Sequence, residues 1–220
     1  MTPAVSRETP PEPSSVDEVF GGAAEAARRF AALLASDGVE RGVIGPREVG
    51  RLWERHLLNC AVVTPLLPEH AGVADIGSGA GLPGLVWALA RSDLAITLVE
   101  PMLRRVRFLE EAIGHLELSN VDIVRARAEE LHGDRAFDVV TARAVAPLSR
   151  LASWCLPLVR PGGMMVAFKG ASAADELADA SSTISRLAGS PGKLATYGRG
   201  VLDTPTRVVI VAKAPETGRA

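Results

Sequence analysis

The sequence has few of the residues that mark several common classes of protein. It contains two cysteines, Cys60 and Cys155, whose separation fits no metal-ligand pattern and indicates reduced thiols. No apolar stretch is long enough to cross a bilayer, and the first residues lack the apolar run of a secretion signal. With one Tyr and five Phe, a broad aromatic platform for stacking single-stranded nucleic acid is not expected. We therefore expect a cytoplasmic globular protein without a bound metal.

A strong charge of either sign is also lacking, since the formal net charge is −2. The basic residues are 21 Arg and 3 Lys, a bias that genome composition explains more simply than nucleic-acid binding. If RNA or DNA is the partner, the cations must act in local clusters, because no overall basic field attracts it.

The N-terminal part is predicted to be a tail followed by two helices. Residues 1–15 carry four prolines among polar residues and predict a disordered tail. Apolar spacing predicts a helix over 19–34 and a second over about 47–67. Together these helices form a predicted N-terminal helical extension over 16–70.

Short apolar runs alternate with helical stretches over residues 71–213, and 214–220 form a predicted C-terminal tail. The predicted strands are 73–76, 95–99, 121–124, 137–141, 164–168, 193–197 and 207–212. The predicted helices are 83–91, 103–116, 148–159 and 173–187. This alternation predicts an α/β fold with a mostly parallel sheet, helices on both faces, and a ligand at the C-terminal strand ends.

The first predicted strand leads into a glycine-rich turn, DIGSGAGLPG, from Asp75 to Gly84. Glycines there allow positive φ and a close backbone approach to a ligand. The part from Gly79 to Gly84 matches the GxGxxG dinucleotide fingerprint. However, the glycine that directly follows the strand is Gly77, with Asp75 two residues before it. This arrangement resembles motif I of class I S-adenosylmethionine-dependent methyltransferases, in which the acidic group helps to hold the cationic methionine end of the cofactor.

Later segments agree with that resemblance. Glu100 ends the second strand, where a carboxylate can accept hydrogen bonds from both ribose hydroxyls, although NAD enzymes use the same device. Glu129 and Glu130 follow the third strand, where methyltransferases of this fold contact the adenine. A Pro-Gly-Gly turn over 161–163 and an antiparallel last strand also recur in that fold. We therefore predict a Rossmann-like, seven-stranded class I methyltransferase that uses S-adenosylmethionine.

The type of acceptor follows from what the site lacks. Methylation of exocyclic amines usually requires an (Asn/Asp)-Pro-Pro-(Tyr/Phe) motif after the fourth strand, but 141–147 reads TARAVAP. Methylation of pyrimidine carbon requires a nucleophilic cysteine, and we expect Cys155 in mid-helix and Cys60 outside the core fold. A pocket without an obvious base suits a nucleophilic acceptor such as guanine N7.

Four segments together resemble the RsmG (GidB) family over about residues 20–213. They are the DIGSGAGLPG turn, RAVA from Arg143, Lys169-Gly170 and RLWERH from Arg51 to His56. The resemblance implies N7 methylation of a guanine in the 530 loop of 16S ribosomal RNA, with that RNA or the small ribosomal subunit as partner. It also implies that cofactor-binding positions are occupied by Gly77, Leu82, Ala128, Glu129 and Arg143.

Combining both lines of reasoning, we expect the cofactor to be held by Asp75, Gly77, Gly79 and Glu100. Arg143 and Lys169 are expected to orient the RNA base, which Trp53 or Phe168 can also contact. His56 is a catalytic candidate, although His56 and Asn59 fit a structural role equally well. Two arginine groups fit either solvated faces or phosphate contacts. They are Arg47, Arg51 and Arg55, and Arg104, Arg105 and Arg107.

Three other functions remain open at this point. The chain can be a methyltransferase for a small molecule or a protein, an NAD-dependent oxidoreductase, or an inactive RNA-binding or ribosome-assembly factor that retains the fold. For the RNA methyltransferase we expect a monomer.

Overall fold

The computed structural model describes residues 12–143 and 146–215. Helix α1 spans Val16–Phe20 and α2 spans Ala24–Leu33, and a π-helical turn extends α2 to Gly38. The first predicted helix therefore ends later than expected. Of the predicted N-terminal tail, residues 1–11 lie outside the described residues, as do 216–220 at the C-terminus.

The second predicted helix is a broken helical segment rather than one regular helix. It runs from Pro46 to Leu66 through 3-10 and π-helical turns, with only Asn59–Ala61 (α3) in α-helical conformation. Two side chains from the sheet domain bind carbonyls of this segment. Arg143 donates to Arg55 O, and Trp87 donates to Cys60 O. These contacts divert backbone acceptors from the regular helical pattern.

The sheet has seven strands in the order β3-β2-β1-β4-β5-β7-β6. They are β1 Gly72–Ile76, β2 Ala95–Val99, β3 Val121–Val124, β4 Phe137–Arg143, β5 Val159–Lys169, β6 Lys193–Tyr197 and β7 Thr206–Ala212. Among the strands of the described residues, β7 alone runs in the opposite direction, and it pairs antiparallel with β5 and with β6. The mostly parallel sheet with an antiparallel last strand is confirmed, and strand order reverses between β1 and β4.

Helices cover both faces of the sheet. They are α4 Gly84–Ala90, α5 Leu103–Leu116, α6 Leu148–Cys155 and α7 Ala173–Arg186. One apolar core joins α4, α5 and the N-terminal helices to one face, and a second joins α6 and α7 to the other. Within the described ranges, no helix is both long and apolar enough to span a membrane.

The Pro-Gly-Gly sequence differs from its prediction. We expected a turn before a strand over 164–168, but β5 already begins at Val159. Val159 pairs with Phe137 and Met164 pairs with Val139, so the intervening residues bulge out of β5. Gly163 lies in this bulge, where an added Cβ would overlap the Asp138 carbonyl oxygen.

Candidate functional site

The turn between β1 and α4 forms one wall of the candidate site. Gly77, Gly79 and Gly81 have φ values of 69°, 58° and 84°, in the left-handed region that favours glycine. The Gly77 N–H donates to the Val99 carbonyl at 2.8 Å, which ties the turn to the end of β2. The predicted glycine turn therefore brings bare backbone to the edge of the sheet where strand order reverses.

Asp75 lies beneath this turn and is fully buried. Its Oδ2 accepts the Gly84 N–H at 3.0 Å, and its Oδ1 has no hydrogen-bond partner among the described residues. A Cβ at position 84 would overlap the side chains of Asp75 and Leu98, so only glycine fits there. Burial is the main cause that raises the pKa of Asp75 to about 7. Asp75 therefore supports the turn from behind the cavity wall.

A cavity of about 490 Å³, here named the glycine-turn cavity, lies at the C-terminal ends of β1, β2 and β4. Eight predicted site residues line it: His56, Gly77, Gly79, Leu82, Glu100, Ala128, Glu129 and Arg143. Four further lining residues were not predicted from the sequence: Val43, Ile44, Met102 and Trp154. Val43 and Ile44 are an apolar pair in a glycine-containing loop, which is a weak signal. Trp154 reaches the cavity from α6 only through the fold.

Glu100 follows β2 and is almost completely buried in the cavity wall. It accepts the N–H groups of Gly79 and Met102, both at 3.0 Å, and Arg105 Nη1 lies 3.5 Å from its Oε2. These donors compensate for the loss of water around a buried carboxylate. The structure thus places an acidic group, held by backbone N–H donors, at the strand end where the sequence predicted one.

Arg143 ends β4 and connects the cavity to the N-terminal helices. Its Nη2 donates to Arg55 O at 3.0 Å and to His56 Nδ1 at 2.6 Å, and its Nη1 contacts Cys60 Sγ at 2.9 Å. Cys60 belongs to the extension, as predicted, but its thiol touches the site. Burial raises the pKa of this thiol, which disfavours the nucleophilic thiolate. The Ala-Val that follows Arg143 in the RAVA element lies outside the described residues.

His56 is held between Arg143 and Glu48. Arginine can only donate, so Nδ1 accepts from Arg143, and Nε2 carries the proton that it donates to Glu48 Oε2 at 2.8 Å. Burial first, and the charge of Arg143 second, lower the pKa of His56 to about 4. The ring is therefore neutral near pH 7, with both nitrogens engaged. Glu48 was not predicted as a site residue, and its spacing of about two helical turns from His56 was the available signal.

A second depression of about 880 Å³, here named the arginine cleft, meets the cavity at Arg143. Its basic wall residues are Arg51, Arg55, Arg143, Lys169 and Arg207. Lys169 Nζ donates to Glu176 Oε2 at 2.7 Å and to the Ala146 carbonyl at 2.8 Å. Trp53 and Phe168 line the same cleft. Lys169 therefore lies apart from the glycine-turn cavity, beside the two aromatic side chains named from the sequence.

The helical segment that carries Arg47, Arg51 and Arg55 is broken, so these residues do not form the continuous stripe that was predicted. Arg51 and Arg55 line the arginine cleft, and so does Asn59. Arg55 Nε lies 3.4 Å from Glu48 Oε2, so the carboxylate that binds His56 also faces this arginine. Among residues 12–143 and 146–215, no group of three or more His, Cys, Asp or Glu side chains is arranged to hold a metal ion.

Comparison with known proteins identifies the family. The model of the GidB family, described as rRNA small subunit methyltransferase G, matches residues 23–199. The chain belongs to this family. A ribosomal RNA small subunit methyltransferase G from Nocardioides sp. is 52% identical over 215 residues, which cover 97% of this chain and 86% of that protein. Its counterpart from Streptomyces avermitilis is 50% identical over 228 residues, covering 96% of each.

Solved structures with low sequence identity show the same fold. A ribosomal protein L11 methylase from Lactobacillus delbrueckii subsp. bulgaricus has a TM-score of 0.54 at 13% identity, covering 72% of this chain and 77% of that one. A precorrin-6y C5,15-methyltransferase from Geobacter metallireducens has a TM-score of 0.53 at 16% identity, covering 71% and 86%. The predictions of the GidB family and of the class I methyltransferase fold are confirmed, and the oxidoreductase alternative loses its support.

Proposed function

We propose that this chain is a cytoplasmic monomer that transfers the methyl group of S-adenosylmethionine to guanine N7 in the 530 loop of 16S ribosomal RNA. The observation that carries the proposal is the junction at Arg143 in a member of the GidB family. There a small-molecule cavity meets the arginine cleft, whose five cationic side chains outnumber its three acidic ones, Glu54, Glu176 and Asp203. Residues 71–213 then form the methyltransferase domain, and residues 16–70 form an extension that helps to build the substrate cleft.

The residues of the glycine-turn cavity fit S-adenosylmethionine. Its volume of about 490 Å³ suits a ligand of that size. Glu100 offers a buried carboxylate to ribose hydroxyls, Gly77 and Gly79 allow close backbone approach, and Leu82 and Ala128 provide apolar wall. Asp75 fixes the turn through Gly84. When bound, the cofactor supplies an electrophilic methyl group on a sulfonium sulfur.

Glu129 and Arg143 complete the proposed cofactor set. Both line the cavity, Glu129 beyond the end of β3 and Arg143 at the end of β4. Because the guanidinium of Arg143 is fixed by acceptors in the N-terminal helices, it holds the extension against the cofactor site. Arg143 is therefore assigned to positioning the two halves of the site as well as to orienting the RNA base.

Guanine N7 carries a lone pair and requires no base to activate it, so the proposed role of the protein is alignment and exclusion of water. His56 fits this chemistry because both of its nitrogens are engaged and its low pKa keeps it neutral. We assign His56 to holding Arg143 rather than to proton transfer. Lys169 has a third N–H donor beyond its two bonds to Glu176 and Ala146, and we assign that donor to the RNA.

The experiment that tests the function uses labelled S-adenosylmethionine and small-subunit RNA from a strain that lacks the enzyme. The RNA is offered bare, in partly assembled particles and in the finished subunit. We expect label in the RNA and 7-methylguanosine among its nucleosides by mass spectrometry. An absence of label in all three substrates, with S-adenosylhomocysteine binding intact, would overturn the RNA assignment while leaving the cofactor assignment in place.

A further inference from the structure

Four exposed arginines lie on the two segments that line the glycine-turn cavity beyond β2 and β3, and one of them, Arg127, lines the cavity itself. Arg104 and Arg107 lie in the first turns of α5, and Arg125 and Arg127 follow β3. Arg125 Nε donates to the Pro101 carbonyl at 3.4 Å, which brings the two segments together. These four residues, here named the α5 arginine patch, lie at the β2 and β3 side of the sheet edge. The arginine cleft lies at the β4, β5 and β7 side.

The patch carries charge that the protein itself does not neutralise. Within the described residues, none of its four arginines forms an ion pair. By contrast, two other charged residues of α5 are paired: Arg105 faces Glu100, and Glu111 pairs with Arg41. The whole chain has a net charge of −2, so this concentration of positive charge is local. An anionic partner would meet it without first displacing a carboxylate.

The position of the patch works against the stability of α5. The first turn of this helix contains no acidic residue. Cations at a helix N-terminus face the positive end of the helix dipole and destabilise the helix. Arg104, the second residue of α5, therefore stands where folding alone disfavours it, which points to a use in binding, whereas Arg107 lies one turn further along the helix.

Apolar surface adjoins the patch. Met102 and Leu103 are 47% and 42% exposed, and with Leu194 they are the only large apolar side chains that are exposed in the described parts of the chain. Met102 also lines the glycine-turn cavity. Apolar side chains beside arginines suit single-stranded RNA, whose unstacked bases contact apolar groups while its phosphates contact the cations.

We propose that the α5 arginine patch binds phosphates of the single-stranded RNA that flanks the target nucleotide, with Met102 and Leu103 against its bases. This inference rests on the proposed function. The RNA then contacts the enzyme on both sides of the glycine-turn cavity, and the target base reaches the transferred methyl group near Arg143, between the two basic surfaces.

The test compares the double variant Arg104→Gln/Arg107→Gln with the wild type. The matched control is Arg135→Gln/Arg186→Gln, which removes the same charge from exposed positions before β4 and at the end of α7, at the opposite sheet edge. Binding of an RNA fragment that contains the 530 loop is measured over a range of salt concentrations. S-Adenosylhomocysteine affinity and melting temperature are measured in parallel.

We expect the patch variant to bind RNA about tenfold more weakly, with a salt slope reduced by about 1.4, since each phosphate contact on a single strand contributes about 0.7. Its cofactor affinity should be unchanged and its melting temperature equal or higher. Wild-type RNA affinity and salt slope in this variant would overturn the inference. So would an equal loss in the control variant. If the wild type itself methylates no RNA, the proposed function fails instead.

Discussion

The glycine-turn cavity and the arginine cleft adjoin each other, but the chain builds them in different ways. Segments that directly follow β1, β2 and β3 form most of the cavity wall, so these wall residues can be predicted from where each strand ends. The cleft combines the broken helical segment with the end of β5 and the residues before β7. Local sequence motifs therefore indicate that most of the cavity wall forms one site. The cleft residues Arg51, Arg55 and Lys169 were also named from the sequence, but only the tertiary structure brings them together.

The two regions also differ in how their charged groups are held. In the cavity, Glu100 is fixed by backbone N–H donors of Gly79 and Met102. In the cleft, Lys169 is paired with the side chain of Glu176. Backbone donors are preorganised, whereas a side-chain ion pair can exchange partners when an anion enters. We expect the cavity to behave as a rigid binding site and the cleft as one that rearranges around its substrate.

Replacement of Arg143 should have the largest effect, because this residue belongs to both regions. Arg143→Ala leaves His56 Nδ1 and two backbone carbonyls without their donor. We expect a loss of about 3 kcal/mol in the free energy of unfolding. Misplacement of the cleft against the cavity should lower kcat about a hundredfold. Denaturant titration and initial-rate assays measure the two effects.

Arg143→Lys is the control for charge. It keeps the cation but lacks the forked geometry that reaches several acceptors at once, so we expect it to remain well below wild-type activity. If the lysine variant restores full activity, charge alone is sufficient and the proposed link between the two regions is wrong.

Glu100→Gln tests the cavity separately. The substitution keeps the size of the side chain, removes its charge and places an amide nitrogen against one of the two backbone N–H donors, so the side chain is held less firmly and its hydrogen bonds to ribose hydroxyls become weaker. We expect the Kd for S-adenosylhomocysteine to rise about tenfold or more by calorimetry, since hydrogen bonds to charged groups contribute about 1.5–3 kcal/mol. A Kd equal to that of the wild type would remove Glu100 from the cofactor site.

Lys169→Met tests the cleft separately. We expect the KM for RNA to rise about tenfold, with little change in S-adenosylhomocysteine affinity. Glu176→Gln is the matched variant, because it disrupts the same ion pair but keeps the lysine. If Glu176→Gln raises the KM as much as Lys169→Met does, Lys169 acts only through its partner and does not touch the RNA.

The same division explains which features the sequence could predict. Strand ends and the glycine turn are local, so the seven strands, Gly77, Gly79 and Glu100 were identified from the residues themselves. The other predicted cavity residues, Leu82, Ala128, Glu129, Arg143 and His56, depended on the resemblance to the GidB family. The contact between Cys60 and Arg143 joins the extension to β4, and no local sequence pattern indicated it. The broken helix was missed for a related reason, because the side chains that bind its carbonyls come from distant strands and helices.

The smallest expected effect is on the pH dependence of stability. It comes from two buried titratable groups, His56 in the extension and Asp75 in the sheet. The pKa of His56 is lowered from 6.5 to about 4, so between these values only the unfolded chain binds the proton and stability rises with pH. The pKa of Asp75 is raised from 3.8 to about 7, so between these values only the folded protein binds the proton and stability falls as pH rises. Near pH 5.5 the two contributions oppose each other.

Variants that cannot titrate should separate these contributions between pH 5 and 6.5. His56→Asn keeps an acceptor for Arg143 but cannot titrate, which leaves Asp75 unopposed. Relative to the wild type, the unfolding free energy should then fall by about 1 kcal/mol per pH unit as pH rises. Asp75→Asn keeps an acceptor for Gly84 and should give a relative slope of similar size and opposite sign. Equal slopes in all three proteins would mean that neither group changes its pKa on folding, because carboxylates that titrate below this range, such as Asp93, affect the three proteins alike.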